Sequence, residues 1–314
     1  MGRHLVGRLL ELGSTVSILT RPRSRYKPAP WDSPPLSERV LRFEAGERDY
    51  QTVFRRALET AGLVFNFAGS IAAVRSNQQP PASTDQNARI QVEFLRACAE
   101  SGRCPHVVFA SSRLVYGQAR KLPVAEDHPL GPRSFYAANK LCCEGYHQAF
   151  AASNAITFTI CRISNAFGPD PEFARKDHGV INSFIEKALA GQPLRLFGDG
   201  RQLRDYIFVD DLVEALLLCG NHSAARNEIF NVGCGEGIRL CDAAEEIRRA
   251  CGSPGTEFLP WPSRFAQVET GSYVCEVSKI RSQLAFSPVH SFSSGLAQYL
   301  RRRPGASIPK PSRG

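Results

Sequence analysis

A tyrosine and a lysine four residues apart, in Tyr136-Ala-Ala-Asn-Lys140, could act together on one proton. Residues four apart on a helix share one face, so both side chains would point to the same place. A free tyrosine has a pKa of about 10, and a neighbouring ammonium group lowers that value toward neutrality. The pair therefore predicts a base that removes a proton, although this spacing alone also occurs on many surface helices.

Two serines, Ser111 and Ser112, directly follow an apolar segment at 106–110 that reads as a buried strand. A hydroxyl at the end of such a strand would lie at the ligand-binding edge of a parallel sheet. We predict Ser112 as the partner of Tyr136, because its hydroxyl can donate to or accept from a reacting oxygen as charge develops there. Ser111 also fits a simpler role, the capping of a turn.

The elements that would position these residues alternate between helix and strand along the first half of the chain. Strands are predicted at 15–20, 40–43, 63–67, 106–110 and 157–163, and helices at 5–12, 50–60, 87–101 and 136–152. A further helix, at 180–190, follows after the order changes. This alternation predicts an α/β fold, a Rossmann-type doubly wound parallel sheet with ligands at the carboxyl ends of its strands. After Asn165 the chain becomes rich in Gly, Pro and Asp, which predicts a smaller α+β substrate-binding lobe.

Composition limits the function classes. The chain has 314 residues, 43% of them hydrophobic, and a formal net charge of +9. Much of the basic excess lies in two runs, 21–27 and 301–313, without interleaved aromatic residues, so no nucleic-acid partner is expected. The ten cysteines are scattered, no ligand spacing for a metal occurs, and no stretch is apolar enough to span a membrane. We expect a cytoplasmic, enzyme-sized protein with no metal and no membrane anchor.

Several motifs, in order along the chain, together resemble one family, the extended short-chain dehydrogenases/reductases of the NAD(P)-dependent nucleotide-sugar epimerase/dehydratase type. The resemblance covers nearly the whole chain and is greatest to proteins like UDP-glucose 4-epimerase. The motifs are FNFAG at 65–69, the segment 72–80, Asn87, SSRLVYG at 111–117, YAANK at 136–140, RISNAFGP at 162–169, FGDGRQLRDYIFVDD at 197–211, NVG at 231–233 and SKI at 278–280.

The resemblance implies a site with three kinds of residue. Ser112, Tyr136 and Lys140 would be the catalytic set, with Tyr136 and Lys140 also against the cofactor. Ser112, Asn165 and Arg204 would bind the substrate, the last two at the diphosphate of a nucleotide sugar, and a guanidinium fork suits phosphate. An ion pair of Arg204 with Asp205 or Asp210 is the competing structural interpretation. The further cofactor-binding residues would be Gly2, Arg21, Phe67, Ala68 and Gly69.

The front of the chain departs from the resembled family, whose members open with a strand and a GxxGxxG loop that receives the cofactor pyrophosphate. Only the last glycine has a counterpart, Gly2, so the first strand and two glycines, about ten residues, are expected to be missing. A truncated gene model is preferred over a real short form. The expected domains are 1–165 with 206–232 for the cofactor, 166–205 with 233–300 for the substrate, and a basic disordered tail at 301–314.

The choice of cofactor and the choice of reaction each depend on one difference from the resembled family. Thr20-Arg21 stands where NAD enzymes commonly have an acidic residue, and Arg21 would attract the 2′-phosphate of NADP. Both cofactors stay open, with NAD first because the resembled epimerases mostly use it. Arg113-Leu114 stands where the resembled dehydratases carry an acid, which disfavours elimination of water. Ile71 replaces a lysine common in galactose epimerases, which leaves the hexose open.

The function expected from the sequence is therefore epimerisation of a nucleotide sugar through a transient keto intermediate, by a homodimer. Two alternatives stay open. One is an NADP(H)-dependent reductase of a keto-sugar or related carbonyl, which Arg21 would favour. The other is a catalytically idle nucleotide-binding protein, which the incomplete glycine-rich loop would favour.

Overall fold

Strands and helices alternate as the sequence predicts, in a computed structural model that describes residues 1–20, 29–44, 50–70, 73–169 and 179–303. The strands are β1 (Val16–Thr20), β2 (Val40–Glu44), β3 (Leu63–Asn66), β4 (His106–Ser112), β5 (Thr157–Ile163), β6 (Asn165–Phe167), β7 (Leu194–Phe197), β8 (Leu203–Phe208), β9 (Glu228–Val232), β10 (Gly237–Arg239) and β11 (Thr256–Leu259). The helices are α1 (Gly2–Glu11), α2 (Tyr50–Leu58), α3 (Ala73–Gln78), α4 (Pro80–Thr84), α5 (Ile90–Glu100), α6 (Phe135–Ala152), α7 (Val180–Leu189), α8 (Val209–Asn221), α9 (Leu240–Cys251), α10 (Ser263–Ala266), α11 (Ser278–Leu284) and α12 (Phe292–Arg302). A π-helical turn, Asp85–Arg89, joins α4 to α5.

A four-stranded parallel sheet in the order β3-β4-β5-β9 forms the centre of the fold. Side chains alternate between the two faces of a strand, and over residues 107–110 of β4 both sets are apolar. Val107 and Phe109 belong to the apolar cluster that includes residues of α5, whereas Val108 and Ala110 pack in the cluster that includes residues of α8. Helices therefore cover both faces, and the predicted doubly wound architecture is confirmed.

The strands β1 and β2 form a separate parallel pair, with Val16 opposite Val40. Trp31 is buried against this pair together with Leu10 of α1. On its other side α1 packs against α8, where Leu5 contacts the cluster that contains Val213. The parallel strands predicted for the first half of the chain thus lie in two sheets, a pair and a group of four.

The smaller lobe contains a three-stranded sheet in the order β10-β8-β6 and a parallel pair of β7 with β11. Its apolar core joins α7, α9 and α12 to these strands. The domain boundary predicted at 206 falls inside β8, whose residues 203–205 pair with β10 and whose residues 206–208 pair with β6. The last helix continues to Arg302, into the segment predicted as a tail, of which 304–314 lie outside the described residues.

Asn231 of β9 ties distant parts of the chain together. Its Oδ1 accepts a hydrogen bond from the Tyr116 hydroxyl at 2.7 Å. Its Nδ2 donates to the carbonyl oxygens of Val124 at 2.8 Å and Glu276 at 3.3 Å, and its backbone N–H donates to the Glu126 carboxylate at 2.8 Å. Because every polar atom of this buried side chain has a partner, the amide fixes the loop after β4 and the segment before α11 to the sheet.

Candidate active site

Ser112 lies at the carboxyl end of β4, the edge at which parallel sheets of this type hold their ligands. Its hydroxyl accepts a hydrogen bond from the Leu114 N–H at 3.2 Å, so Ser112 also caps the turn that follows. The neighbouring Ser111 points elsewhere and donates to the buried Glu144 carboxylate at 2.5 Å. The capping role predicted for Ser111 is therefore wrong, since Ser112 performs it.

Tyr136 and Lys140 lie near the start of α6, as their spacing predicts. Ser134 caps this helix by accepting a hydrogen bond from the Ala137 N–H at 3.2 Å, and the Tyr136 N–H donates to the Ser76 hydroxyl at 2.9 Å. Both side chains are buried, Tyr136 with 8% and Lys140 with 4% of its surface exposed. The cap and the contact with Ser76 fix the orientation of this first turn of helix.

The ammonium group of Lys140 donates to the Ala110 carbonyl oxygen at 2.7 Å and lies 4.6 Å from the centre of the Phe109 ring. Burial lowers the pKa of Lys140 to about 8. Burial also raises the pKa of Tyr136 to about 12, and the group that lowers it in part is Ser112, through a side-chain hydrogen bond. The ammonium of Lys140 is directed to the β4 backbone, and Lys140 is not among the groups that shift the pKa of Tyr136.

A cavity of about 310 Å³ opens between the four-stranded sheet and the smaller lobe, and the three predicted catalytic residues line it together. The carbonyl edge of β4, the start of α6 and the first residues of β6 form its walls. The lining residues are Met1, Phe67, Ala73, Ala110, Ser111, Ser112, Leu114, Tyr136, Lys140, Ile163, Asn165, Ala166, Gly179, Val180, Ile181 and Tyr206. None of these described residues is an Asp or a Glu.

Of the predicted cofactor residues that the structure describes, Phe67, Tyr136 and Lys140 line this cavity and the others do not. Phe67 lines the cavity, whereas the next two residues, Ala68 and Gly69, are not among its lining residues. The Ala68 carbonyl accepts a hydrogen bond from the Gln91 side chain at 3.1 Å. Gly69 has a φ of 137°, and a Cβ there would lie 2.5 Å from the Asn87 Oδ1, so the close approach requires glycine.

Gly2 begins α1 next to Met1, which lines the cavity, and Arg21 lies outside the described residues. The amino end of a helix carries free N–H groups and a partial positive charge, which suit a phosphate. The Lys140 ammonium uses one of its three hydrogens on Ala110 and keeps donors for hydroxyl groups. These features fit a dinucleotide placed between α1 and α6.

The two predicted substrate residues behave differently. Asn165 lines the cavity, its Oδ1 accepts from Arg113 Nε at 3.1 Å, and its Nδ2 donates to the Asp205 carbonyl at 2.9 Å. Arg204 is buried and not among the lining residues. Its guanidinium forms an ion pair with Glu269 at 2.6 Å and donates to the Gly271 carbonyl at 2.6 Å.

The competing ion pair of Arg204 with Asp205 or Asp210 is wrong. Asp205 instead accepts from the N–H groups of Cys234 and Gly235, each at 2.9 Å, and Asp210 forms an ion pair with Arg302 at 2.6 Å. The partner Glu269 lies 65 positions from Arg204 along the chain. No local signal in the sequence could have identified it.

Sequence reasoning did not single out Tyr206 and missed the contacts of Arg113. Tyr206 lines the cavity, and its position two residues after Arg204 on a strand was the available signal, since such residues share a face. The sequence drew attention to Arg113 only because dehydratases have an acid at this position. In the structure its side chain is buried and donates a hydrogen bond to Asn165. In the described ranges, no helix could cross a membrane and no group of three His, Cys, Asp or Glu residues could hold a metal.

Comparisons with known proteins agree with this geometry. Residues 1–233 match the model of the NAD dependent epimerase/dehydratase family. The UDP-glucose 4-epimerase of Mycolicibacterium smegmatis is 30% identical over 239 residues, which are 75% of this chain and 74% of that protein. A dTDP-glucose 4,6-dehydratase of an Actinoplanes species is 30% identical over 197 residues, 63% of this chain and 58% of that protein.

Among solved structures, the UDP-glucose 4-epimerase of Thermus thermophilus in complex with NAD superposes with a TM-score of 0.84. It is 27% identical, and the match covers 97% of this chain and 96% of that one. The family match bears out NAD as the first choice of cofactor. With the fold, the cavity and these matches in agreement, the chain belongs to the NAD dependent epimerase/dehydratase family.

Proposed function

We propose that this protein is an NAD-dependent epimerase that inverts carbon 4 of a uridine diphosphate hexose such as UDP-glucose. The observation that carries the proposal is that Ser112, Tyr136 and Lys140 line one cavity together with Asn165. The choice of carbon 4 and of uridine diphosphate glucose is supported by relatives of that activity.

In the proposed reaction Tyr136 exchanges a proton with the hydroxyl of the sugar. Burial raises the pKa of its phenol to about 12, so the site must stabilise the phenolate before that oxygen can take the proton of the sugar hydroxyl. Ser112 does this in part by donating to the phenolic oxygen, and the same hydroxyl can donate to the sugar oxygen as it becomes a carbonyl. Lys140 adds a buried positive charge on the same helix and holds hydroxyl groups of the cofactor ribose.

When bound in this cavity, NAD would accept a hydride from the sugar carbon and return it to the opposite face, which inverts the centre without net redox change. The walls of the cavity support this reaction over elimination of water. Dehydration needs a further acid beside the catalytic hydroxyl, and the described lining residues offer none. Arg113, in the position of that acid, is directed to Asn165.

The replacement Tyr136→Phe tests the proposal. The variant should lose at least about 100-fold in turnover, the usual size of a general acid-base contribution, while its affinity for UDP-glucose is retained. The interconversion of UDP-glucose and UDP-galactose is followed by a coupled assay, and ligand affinity by calorimetry. Tyr146→Phe, on the same helix and outside the cavity, is the matched control and should keep wild-type turnover.

Three results would contradict the proposal. Substantial activity in Tyr136→Phe would remove the role of the phenol. Consumption of cofactor in proportion to product by the wild type would identify a reductase, the alternative that Arg21 favours. A wild-type chain that neither retains nicotinamide nor gains stability from it would favour the idle nucleotide-binding alternative.

The assembly and the location are further parts of the proposal. We propose a homodimer in the cytoplasm, as the resemblance and the scattered cysteines suggest. Sedimentation of the purified protein tests the first, and fractionation of the cells that produce it tests the second.

A further inference from the structure

Glu144 lies on α6 one turn after Lys140, and its carboxylate is buried. Glu144 is 2% exposed, and Arg162 of β5, which is 3% exposed, donates to it through Nε at 3.2 Å and through Nη2 at 2.8 Å. The Ser111 hydroxyl donates to the same carboxylate at 2.5 Å. Because the forked contact with Arg162 already compensates the charge, the hydrogen bond from Ser111 is an additional contact, made at the wall of the catalytic cavity.

Among the described strands, only β5 pairs with the last three residues of β4, 110–112. The pairing of β3 with β4 ends at Asn66 opposite Phe109, whereas the pairing of β4 with β5 continues to Ser112 opposite Ile163. Ser112 is the last residue of β4, so a complete sheet does not surround it. A catalytic group in such a position depends on supporting side chains to keep its geometry.

The Glu144 carboxylate joins β4 and β5 at this end of the sheet. Ser111 and Arg162 are directly opposite each other in the register of the two strands, and both donate to the carboxylate. Arg162 also donates through Nη1 to the Tyr116 hydroxyl at 3.1 Å, in the turn that follows Ser112. The residue before Ser112 and the turn after it are therefore attached to one buried ion pair.

Three residues of α6, each four positions after the one before, contact three consecutive residues of β4. The contacts are Tyr136 with Ser112, Lys140 with Ala110, and Glu144 with Ser111. Residues four apart on a helix lie on one face, so the three contacts fix α6 lengthwise against the end of β4. A shift of either element would separate the phenol of Tyr136 from the hydroxyl of Ser112.

We propose that Glu144 and Ser111 are positioning residues of the active site, which keep the Ser112 hydroxyl and the Lys140 ammonium in place around Tyr136. The reaction at Tyr136 rests on the proposed function. Glu144 acts in two ways. Through Ser111 it fixes the end of β4, and its negative charge, one helical turn from Lys140, stabilises the ammonium form of that lysine.

The charged groups near Lys140 support the second role. Burial lowers the pKa of Lys140 to about 8, and Cys143 and Glu144 raise it in part. Burial raises the pKa of the Cys143 thiol to about 12, so near neutral pH the opposing charge comes from Glu144. The other titratable groups packed around this pair are Tyr136 and His147 of α6, Tyr116 of the turn after β4, and Arg162 of β5. Arg162 is the cation among them, so loss of the Glu144 charge would leave Lys140 near a second positive charge.

Ser111→Ala tests the positioning role, because it removes one hydroxyl and leaves the pair of Glu144 with Arg162 intact. The turnover of UDP-glucose should fall about 10-fold, less than the about 100-fold that a misplacement of about 1 Å can cost, with KM unchanged. Ser111→Thr keeps a hydroxyl on a residue that strands favour and should restore most of the turnover. The matched control is Ser253→Ala, in which a serine 3% exposed loses its hydrogen bond to the Gln192 carbonyl, outside the cavity. It should keep wild-type turnover.

Glu144→Gln tests the charge, because it keeps an oxygen for Ser111 and removes the negative charge. Lysine that is isotope-labelled at Cε reports the titration of each lysine by NMR, and the Lys140 signal is identified by its loss in Lys140→Met. The midpoint of Lys140 should fall by about one pH unit in Glu144→Gln, and the decline of kcat at alkaline pH should move to lower pH with it. In Ser111→Ala both should stay at the wild-type values. Thermal unfolding followed by circular dichroism checks the fold of each variant, and if Glu144→Gln does not fold, Ser111→Ala decides.

Unchanged turnover in Ser111→Ala would overturn the positioning role, and so would a loss of turnover in Ser253→Ala as large as that in Ser111→Ala. An unchanged Lys140 midpoint in Glu144→Gln would overturn the role of the charge. A wild type that does not interconvert UDP-glucose and UDP-galactose, but whose Lys140 midpoint falls in Glu144→Gln, would refute the proposed function and leave the role of the Glu144 charge standing.

Discussion

The four-stranded sheet and the β1–β2 pair have the same parallel pairing but very different surroundings. In β4 and β5 nearly every residue is buried, whereas β1 has one buried residue, Val16, and β2 has none. Helices cover both faces of the larger sheet, and it carries the predicted catalytic hydroxyl at the end of β4. Parallel pairing of strands alone therefore does not provide a rigid support for the catalytic residues. The sheet that supports them is buried on both of its faces.

Ion pairs give the largest expected difference between the two regions. Arg162 of β5 pairs with Glu144 at 2.8 Å, and both side chains are at most 4% exposed, whereas Arg42 of β2 pairs with Asp32 with 39% of its own side chain exposed. Arg162→Met should lower the free energy of unfolding by about 3–5 kcal/mol, because the buried Glu144 carboxylate would lose its counter-charge. Arg42→Met should cost about 0–1 kcal/mol.

Urea unfolding of the two arginine variants beside the wild type measures both values. Equal losses would break the comparison, because the β1–β2 pair would then depend on its ion pair as strongly as the larger sheet does. A small loss in both would mean that Glu144 finds another partner when Arg162 is removed.

Two isoleucines make a matched pair for the apolar contribution. Ile160 of β5 is fully buried, and Ile18 of β1 is partly exposed. Ile160→Ala should cost about 2–5 kcal/mol, through lost burial and the cavity that remains, and Ile18→Ala should cost less than half as much. The same unfolding measurement applies, and a cost for Ile18→Ala equal to that for Ile160→Ala would contradict the difference in burial.

The protonation of Lys140, whose ammonium contacts β4 of the larger sheet, gives a further expected effect. Burial lowers the pKa of Lys140 from 10.5 to about 8, so between these values the unfolded chain binds more protons than the folded one. Stability should therefore rise as the pH increases from about 8 to 10.5, and decrease as the pH falls back through this window.

Urea unfolding at several pH values between 7.5 and 10.5 tests this contribution. Lys140→Met should flatten that part of the profile, whereas Lys187→Met, on α7 and only partly buried, should keep the wild-type profile. An unchanged profile in Lys140→Met would mean that other groups cause the pH dependence.

The sequence predicted the features that depend on neighbouring residues. The alternation of apolar periods gave the helices and strands around the site, and the spacing of Tyr136 and Lys140 placed them together on α6. It also gave the end of β4 as the position of Ser112.

Features that depend on distant residues could not be predicted. The contact of Lys140 with the Ala110 carbonyl, the ion pair of Arg204 with Glu269 and the burial of Arg113 join segments that only the folded chain brings together. Periodicity and local motifs carry no information on such pairs. For the same reason the sequence showed that Arg113 is not an acid but did not show that it donates a hydrogen bond to Asn165.

The amide of Asn231 has a consequence for the order in which the protein acquires its structure. Its partners are contributed by residues near 116 and 124 and by Glu276, so the chain must close loops of more than 100 and of 45 positions before the last hydrogen bond forms. Such distant contacts slow folding, because loop closure costs entropy before any contact repays it. On the ribosome, the edge of the sheet at β9 would stay incomplete until the residues around 276 had left the exit tunnel.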